Sequence, residues 1–220
     1  MESARLAISN TSIYPEFPSA TSEDAALIRI ISNNHPDRCD LQRFIADIYR
    51  RDYGARIEHF AEKLMGMRRR SGAWAAGCGY TLAGDNRLFI EQYLDHSVET
   101  VISERIGTLV GRDEVVEVGN LAASSAGYAR RVIVYTTALL NQLHRTWVVF
   151  TATRSLLNSF ARLQIEPIFL AQASPLRLVD RGVNWGSYYD NNPQVVAANI
   201  PQGFAHLFAR VDPGNTVLDL

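Results

Sequence analysis

The chain has 220 residues, of which 47% are hydrophobic and 20% charged, and its formal net charge is -1. This length fits one domain with one hydrophobic core, and the near-zero charge gives no overall field that would attract nucleic acid or anionic lipid. The N-terminal residues show no basic segment followed by an apolar one, and no apolar run is long enough to span a bilayer, so we expect a cytoplasmic protein without a transmembrane segment or a nucleic-acid partner.

Residues 1–22 carry Ser, Thr, Pro and apolar residues without a regular period, which predicts a leader or extended arm before a single domain at residues 23–220. The apolar patterns of the first half of that domain predict, in chain order, a strand at 25–32, a helix at 41–53 closed by Gly54, a second helix at 58–67, a strand at 71–83, a strand or strand-to-helix junction at 88–94 and a helix at 98–106.

The second half continues with alternating strands and helices. The patterns predict a strand at 115–121, a turn of small residues at 122–127, a helix to about residue 144, a strand at 147–151, a helix at 155–163, and strands at 165–171 and 194–200. This order predicts an α/β (α+β) fold with a mixed central sheet flanked by helices.

The two cysteines, Cys39 and Cys78, are far apart, and neither belongs to a CxxC motif or has a His-rich neighbourhood. Such spacing argues against a disulfide framework and against a zinc site. We therefore expect two reduced thiols and no metal site.

The turn SSAGYA at residues 124–129 joins a predicted strand to a predicted helix. The first N–H groups of a helix have no partner inside the helix and can bind an anion; Gly127 would let a phosphate approach, and Arg130 would add positive charge. Two interpretations remain open for this turn: a pyrophosphate site or an ordinary tight helix start. Arg130 is likewise either a phosphate contact or part of a solvated helix face.

The same turn resembles the Gln/Arg-x-x-Gly-x-Gly/Ala loop of the GCN5-related N-acetyltransferases, with Gly127 and Ala129 at matching positions and Ser124 in place of Gln or Arg. The resemblance implies an acyl-CoA N-acyltransferase-like fold. It also implies that the strand before the loop offers backbone groups of its residues Gly119, Asn120 and Leu121 to the pantetheine arm of a donor.

One position departs from that superfamily. Phe160 stands where the superfamily often has the tyrosine that protonates the leaving thiolate, and phenylalanine cannot donate a proton. Tyr188, Tyr189 or solvent would have to replace it. The block WGSYYD at 185–190, which contains both tyrosines, suits either a substrate lid or a loop whose aromatic side chains cover a core edge.

Four blocks resemble the thermostable hemolysin family over about residues 25–203: LFIEQYLD (88–95), VVEVGNLAA (115–123), WVVFTATRSLLNSFARL (147–163) and WGSYYD (185–190). VVEVGNLAA is also similar to the Glu-x-x-Arg strand of the acyl-homoserine-lactone synthases, with Asn120 in place of Arg. These resemblances imply an acyl donor, either acyl-CoA or acyl carrier protein, that acts as a cosubstrate, with no permanently bound cofactor.

Aminolysis of a thioester needs a base that takes a proton from the amine. Glu117 is our first candidate, because its side chain shares a strand face with Val115 and points either into an apolar cleft, with a raised pKa, or to solvent. Glu91 is the second candidate. Glu91 and Tyr93 alternate in IEQYLD, so they would line an acceptor pocket, or Glu91 would form a structural ion pair.

We therefore expect an N-acyltransferase that moves an acyl group from acyl-CoA or acyl carrier protein to an amine of a small molecule. A membrane-active hemolysin-like protein is one alternative, since the helix at 41–53 is amphipathic, although such a stripe ordinarily packs on a sheet. A non-catalytic acyl-CoA-binding sensor is the other alternative, which the phenylalanine at position 160 favours.

Overall fold

The computed structural model describes residues 27–84 and 86–209. The predicted leader at 1–22 lies outside these residues. The strands are β1 (Leu27–Ile31), β2 (Lys63–Arg68), β3 (Trp74–Leu82), β4 (Val115–Ala123), β5 (Trp147–Ala152), β6 (Ile168–Gln172) and β7 (Gln194–Asn199). The α-helices are α1 (Arg38–Tyr53), α2 (Val98–Ile106), α3 (Ala126–Gln142), α4 (Arg154–Arg162) and α5 (Ile200–Phe208).

The strands form one mixed sheet in the order β1-β2-β3-β4-β5-β7-β6. Neighbouring strands are antiparallel except β4 and β5, which run parallel. A mixed sheet flanked by helices is the predicted α/β (α+β) architecture, which the structure confirms.

The helices cover the two faces of the sheet. On the front face, α1 packs on residues such as Leu64 and Ala122, while α2 and a short 3₁₀ helix (Phe89–Tyr93) pack on residues such as Val115 and Val149. On the back face, α3, α4 and α5 pack on residues that point the other way from the same strands, including Val116 of β4 and Phe150 of β5. This alternation places the side chains of β4 on the two faces in turn, so Glu117 lies on the front.

Helix α1 packs closely on the front face because glycines form the surface beneath it. An added Cβ at Gly77 would lie 2.9 Å from Leu41 of α1. Leu41 and Ile45 are fully buried there. Gly54 ends the helix, as predicted, at φ +68°, which favours glycine. The amphipathic stripe of α1 therefore packs on the sheet.

The predicted helix at 58–67 is wrong, since strand β2 occupies Lys63–Arg68. Leu64 on one face and Met65 on the other are both buried, because β2 pairs with β1 and β3 and is covered on both sides. A short apolar run buried on both faces has no period that separates a strand from a helix.

Two other differences concern element type and end. The segment predicted as a strand or junction at 88–94 is a 3₁₀ helix, because Glu91 accepts the backbone N–H of Leu88 at 2.9 Å and closes the turn. The last helix, α5, was not predicted. Its start has a recognisable signal, since the Asn199 side chain accepts from the N–H of Gln202 at 2.9 Å and Pro201 occupies the first turn.

Candidate active site

Strands β4 and β5 separate soon after they meet. They pair only at Val115–Trp147, Val116–Val148 and Glu117–Val149, although β4 continues to Ala123. On its other edge β4 bulges against β3, where the register shifts between Gly77 and Gly79, and Asn120 adopts φ +54°. The two strands therefore diverge beyond Glu117, and backbone groups of β4 face a cleft.

The cleft has a volume of about 1460 Å³. Its walls include Gly119, Asn120 and Leu121 of β4, Thr151 of β5 and the start of α3. It is bordered by residues on both the front and the back face of the sheet. A cleft at a break between parallel strands is a common place for a ligand in α/β folds.

Glu117 lies at the point where the two strands part. Its side chain is buried, and its Oε2 accepts the backbone N–H of Phe89 at 2.7 Å. Burial raises the pKa of Glu117 to about 7, while hydrogen bonds from the backbone of Phe89 and Ile90 oppose the rise and the charge of Glu91 adds to it. Glu117 therefore points into an apolar cleft with a raised pKa, which is one of the two alternatives that its sequence position leaves open, and not to solvent.

Glu91 lies in an ion pair. Its two oxygens accept from Arg112 at 2.7 and 3.0 Å, and it also accepts the backbone N–H groups of Leu88 and Val98. Burial alone would raise the pKa of Glu91, but the hydrogen bonds from Arg112 and the backbone outweigh it and lower the pKa. Glu91 thus stays ionised and ties the 3₁₀ helix, which positions Glu117, to the start of α2.

Tyr93 faces a second tyrosine. The hydroxyl groups of Tyr93 and Tyr189 lie 2.6 Å apart. Burial raises the pKa of both phenols, that of Tyr189 to about 12. Both side chains therefore remain protonated at neutral pH and can donate a hydrogen bond.

The start of α3 borders the cleft through Ser124, Ser125 and Ala129. Ser125 caps the helix by accepting the N–H of Tyr128. Gly127 is exposed on the same turn, where an added Cβ would meet, within residues 27–84 and 86–209, only the Ser125 hydroxyl at 3.9 Å. Arg130 follows as the fifth residue of the helix and is partly exposed.

A basic residue that the sequence pattern did not reveal also reaches this turn. Arg69, from the turn between β2 and β3, donates to the Ser124 hydroxyl at 3.0 Å and lies over the ring of Tyr128. No local motif connects Arg69 with residues 124–129, since the contact depends on the sheet register that places the β2–β3 turn beside the end of β4.

The Asn120 side chain holds the segment 55–62 over the cleft. Its Oδ1 accepts the N–H of Ala61 and its Nδ2 donates to the carbonyl of His59, both at 3.1 Å. Arg38 of α1, which is buried, donates to the carbonyl groups of Ala61 and Glu62. The bulge of β4 and this segment are therefore connected by direct hydrogen bonds.

An aromatic cluster borders the front side of the cleft: Tyr49, Tyr53, Phe89, Tyr93, Trp185, Tyr188 and Tyr189. The segment 183–191 is attached to the end of α1, because the N–H of Ser187 donates to the carbonyl of Tyr53 at 2.8 Å. Gly186 adopts φ +51°, and an added Cβ there would lie 2.0 Å from that same oxygen.

Phe160 of α4 is buried and stacks on Phe150 with ring centroids 4.9 Å apart. Tyr188, one of the two tyrosines considered as a replacement proton donor, is buried among Tyr49, Tyr53 and Trp185. Tyr189, the other, is the partner of Tyr93.

Among the helices that the structure describes, none is both long enough and apolar enough to cross a membrane.

Solved structures with this fold include an N-acyl amino acid synthase and acyl-homoserine lactone synthases. FeeM, an N-acyl amino acid synthase from uncultured soil microbes, aligns with a TM-score of 0.60 at 14% identity, over 88% of this chain and 100% of that chain. The AHL synthase LasI aligns with a TM-score of 0.59 at 8% identity, over 90% of this chain and 99% of that chain. A CoA-dependent acyl-homoserine lactone synthase, BjaI, solved with SAM and isopentyl-CoA, aligns with a TM-score of 0.55 at 14% identity, over 84% of this chain and 89% of that chain.

At these identities the likeness shows a common fold, which is the acyl-CoA N-acyltransferase-like fold predicted. No curated protein matches the chain in sequence. The family model described as thermostable hemolysin matches residues 31–204, well over half of the chain.

Proposed function

We propose that this chain, which belongs to the thermostable hemolysin family, is an N-acyltransferase that moves an acyl group from a thioester donor to an amine of a small molecule. The observation that carries the proposal is the position of Glu117, a buried carboxyl with a pKa of about 7 at the point where β4 and β5 part. A group with such a pKa is suited to general-base work near neutral pH.

In the proposed reaction the amine nitrogen attacks the thioester carbonyl carbon while Glu117 takes the proton that the amine loses. The carbon–sulfur bond then breaks, and the thiolate leaves and takes up a proton. The front side of the cleft would hold the acceptor, since the aromatic cluster and Glu117 both lie there.

The donor is proposed to lie along the free edge of β4. Backbone groups of Gly119, Asn120 and Leu121 border the cleft beyond the last β4–β5 pair and would hydrogen-bond the amides of a pantetheine arm. The pyrophosphate or phosphate of the carrier would then bind at the start of α3 beside Ser124 and Gly127, with Ala129 leaving space and Arg69 and Arg130 adding positive charge.

Tyr93 and Glu91 have separate proposed roles. The Tyr93 hydroxyl, paired with Tyr189, would orient the acceptor or supply the proton for the leaving thiolate, which Phe160 cannot do. Glu91 would position Glu117 indirectly. Its ion pair with Arg112 holds the 3₁₀ helix in place, and the backbone N–H of Phe89 in that helix donates a hydrogen bond to Glu117.

Three proteins with this fold support the proposal: FeeM is an N-acyl amino acid synthase, LasI is an AHL synthase, and BjaI is a CoA-dependent acyl-homoserine lactone synthase whose structure contains SAM and isopentyl-CoA. Acyl-CoA or acyl carrier protein would be the cosubstrate. A cytoplasmic location, where such thioesters occur, is part of the proposal. The phenylalanine at position 160 supports a second candidate function, a non-catalytic acyl-CoA-binding sensor.

The two functions are distinguished by following free thiol released from acyl-CoA and from acyl carrier protein over a panel of small amines and amino acids. Thiol release that depends on the amine, with a stoichiometric N-acyl product, supports the transferase. Donor binding without amine-dependent release from either carrier would instead support the sensor.

A further inference from the structure

The cleft has two sides of different polarity. The segments on the front face contribute several charged residues to its lining, among them Arg51, Arg56, Glu58 and Asp180. The lining residues from α3, α4 and α5 on the back face carry no charge. The back side of the cleft is therefore suited to a hydrocarbon group, whose burial needs no polar partner.

Two threonines of α3 fit this apolar character although their side chains contain hydroxyl groups. Thr136 donates its hydroxyl to the carbonyl of Val132 at 2.7 Å, and Thr137 donates to the carbonyl of Ile133 at 2.9 Å. Both hydroxyl groups are therefore satisfied within their own helix. The Thr137 methyl group faces α5, since it lies near the position that a Cβ at Gly203 would occupy.

Gly203 is a buried glycine at the fourth position of α5 and borders the cleft. Glycine is unfavourable inside a helix relative to alanine, so such a position needs a reason. Among the residues that the structure describes, an added Cβ would meet only the Thr137 methyl group, at an ordinary contact distance of 3.8 Å. Helix packing thus does not require glycine here, and its absent side chain leaves space in the cleft.

We infer that the back side of the cleft, between α3 and α5, holds the hydrocarbon chain of a medium- or long-chain acyl donor, and that Gly203 sets how long that chain can be. This inference rests on the proposed function and adds the class of acyl group. The volume of about 1460 Å³ agrees with it, because clefts of about 300–1,000 Å³ already hold drug-sized ligands.

The inference is tested by binding of S-butyl and S-dodecyl thioethers, which cannot transfer their alkyl group, on CoA and on acyl carrier protein. Each methylene that leaves water raises affinity by about fourfold. The S-dodecyl thioether should therefore bind the wild-type protein at least ~100-fold more tightly than the S-butyl thioether on the same carrier.

Gly203→Leu should lower affinity for the S-dodecyl thioether at least ~tenfold and leave that for the S-butyl thioether unchanged, because the added side chain occupies the end of the chain site. Gln202→Leu, which adds the same side chain at the exposed neighbouring position, should change neither affinity. If Gly203→Leu does not fold, Thr137→Leu serves as the second variant. It fills the same space from α3 and should have the same effect on the two affinities.

The outcomes separate this inference from the function on which it rests. Equal affinity of the wild-type protein for the two chain lengths overturns the inference and leaves the donor site intact. The same conclusion follows if Gly203→Leu and Thr137→Leu lower the affinity for both thioethers equally. If neither thioether binds on either carrier, the proposed donor site is wrong, and the inference fails with it.

Discussion

The backbone N–H of Phe89 donates a hydrogen bond of 2.7 Å to Oε2 of Glu117. This bond fixes the orientation of the carboxyl group of a residue that is only 8% exposed. It favours the ionised form and offsets part of the effect of burial, so that the pKa of Glu117 is raised to about 7 rather than further. Both protonation states are consequently populated near neutral pH.

Replacement of Glu117 by glutamine should lower turnover by about 10²–10⁴-fold, because general-base assistance is typically worth that much. The amide oxygen can still accept from Phe89, so the fold should persist. Amine-dependent thiol release and circular dichroism measure the two effects. Wild-type turnover in a folded Glu117→Gln protein would refute the assignment of the base.

Glu91→Gln provides the contrasting variant. It removes a carboxylate that accepts two hydrogen bonds from Arg112, so it should lower the free energy of unfolding by about 1–3 kcal/mol. Urea denaturation measures this loss. A stable but inactive Glu91→Gln protein, alongside an active Glu117→Gln protein, would move the base to Glu91.

The pH dependence of the reaction should report the raised pKa of Glu117. A base must be ionised to work, so kcat/KM should rise about tenfold per pH unit below pH 7 and level off above it. The profile of Glu117→Gln should lack this step. A wild-type step near pH 4.5, the ordinary value for a glutamate, would show that the carboxyl is not in an apolar environment in solution.

The same pKa has a consequence for stability whose sign is opposite to that of a salt-bridged carboxylate. The unfolded chain releases the Glu117 proton near pH 4.5 and the folded chain near pH 7. The contribution of Glu117 to wild-type stability should therefore fall as pH rises through this interval, by about 3 kcal/mol in all. Glu117→Gln should become more stable relative to wild type between pH 5 and pH 8, as measured by urea denaturation.

Gly127→Glu tests the anion site at the start of α3. The added carboxylate would repel a phosphate, so affinity for CoA should fall at least ~tenfold at low salt. The variant should fold, because position 127 is open and an acidic residue is favourable in the first turn of a helix. Calorimetric titration with CoA gives the affinity.

Two variants at the same position separate the effects of charge and bulk. Gly127→Gln adds a side chain of the same size without charge, and Gly127→Ala adds only a methyl group with space around it. Affinity for CoA should be highest in Gly127→Ala, lower in Gly127→Gln and lowest in Gly127→Glu. Unchanged CoA affinity in folded Gly127→Glu would place the phosphates elsewhere.

Gly186→Ala should release the segment 183–191 from α1, because the new methyl group would overlap the carbonyl oxygen of Tyr53. We expect faster proteolysis within the segment and a higher KM for the acceptor. Gly72→Ala is the matched control, since Gly72 also has a positive φ but an added Cβ there would have no contact within 4 Å in the described part of the chain. This change should cost about 1 kcal/mol without affecting the segment. Equal effects of the two changes would mean that the Tyr53 contact does not hold the segment.

The purified protein should not release dye from liposomes at low concentration. The apolar residues Leu41 and Ile45 of α1 are buried against the sheet and are not available to a bilayer. Rapid dye release in the absence of any acyl donor would support the membrane-active alternative instead.

Fold class could be predicted from the sequence because most elements have a clear period or end signal. Helix α1 has an apolar stripe and a closing glycine at Gly54, and strand β4 is an apolar run before a turn of small residues. The sequence pattern of strand β2 favours a helix, because burial on both faces removes the alternation that identifies a strand.

The candidate site was predictable only in part, because it depends on long-range contacts. Glu117 was recognisable as a lone carboxyl in an apolar strand. The hydrogen bonds of Glu91 to Arg112 and of Ser124 to Arg69 join residues far apart in sequence, and no local spacing encodes them. The direction of the Asn120 side chain follows from a bulge whose position depends on the register with β3.

The sheet consists of two antiparallel halves, β1–β4 and β5–β7, that are joined by only three residue pairs. Thermal opening should concentrate at this seam, because few backbone bonds cross it. A donor that hydrogen-bonds β4 and also contacts β5 would add interactions across the seam. Substrate occupancy would then protect the whole sheet against unfolding, and a protein saturated with donor would be the more heat-resistant form.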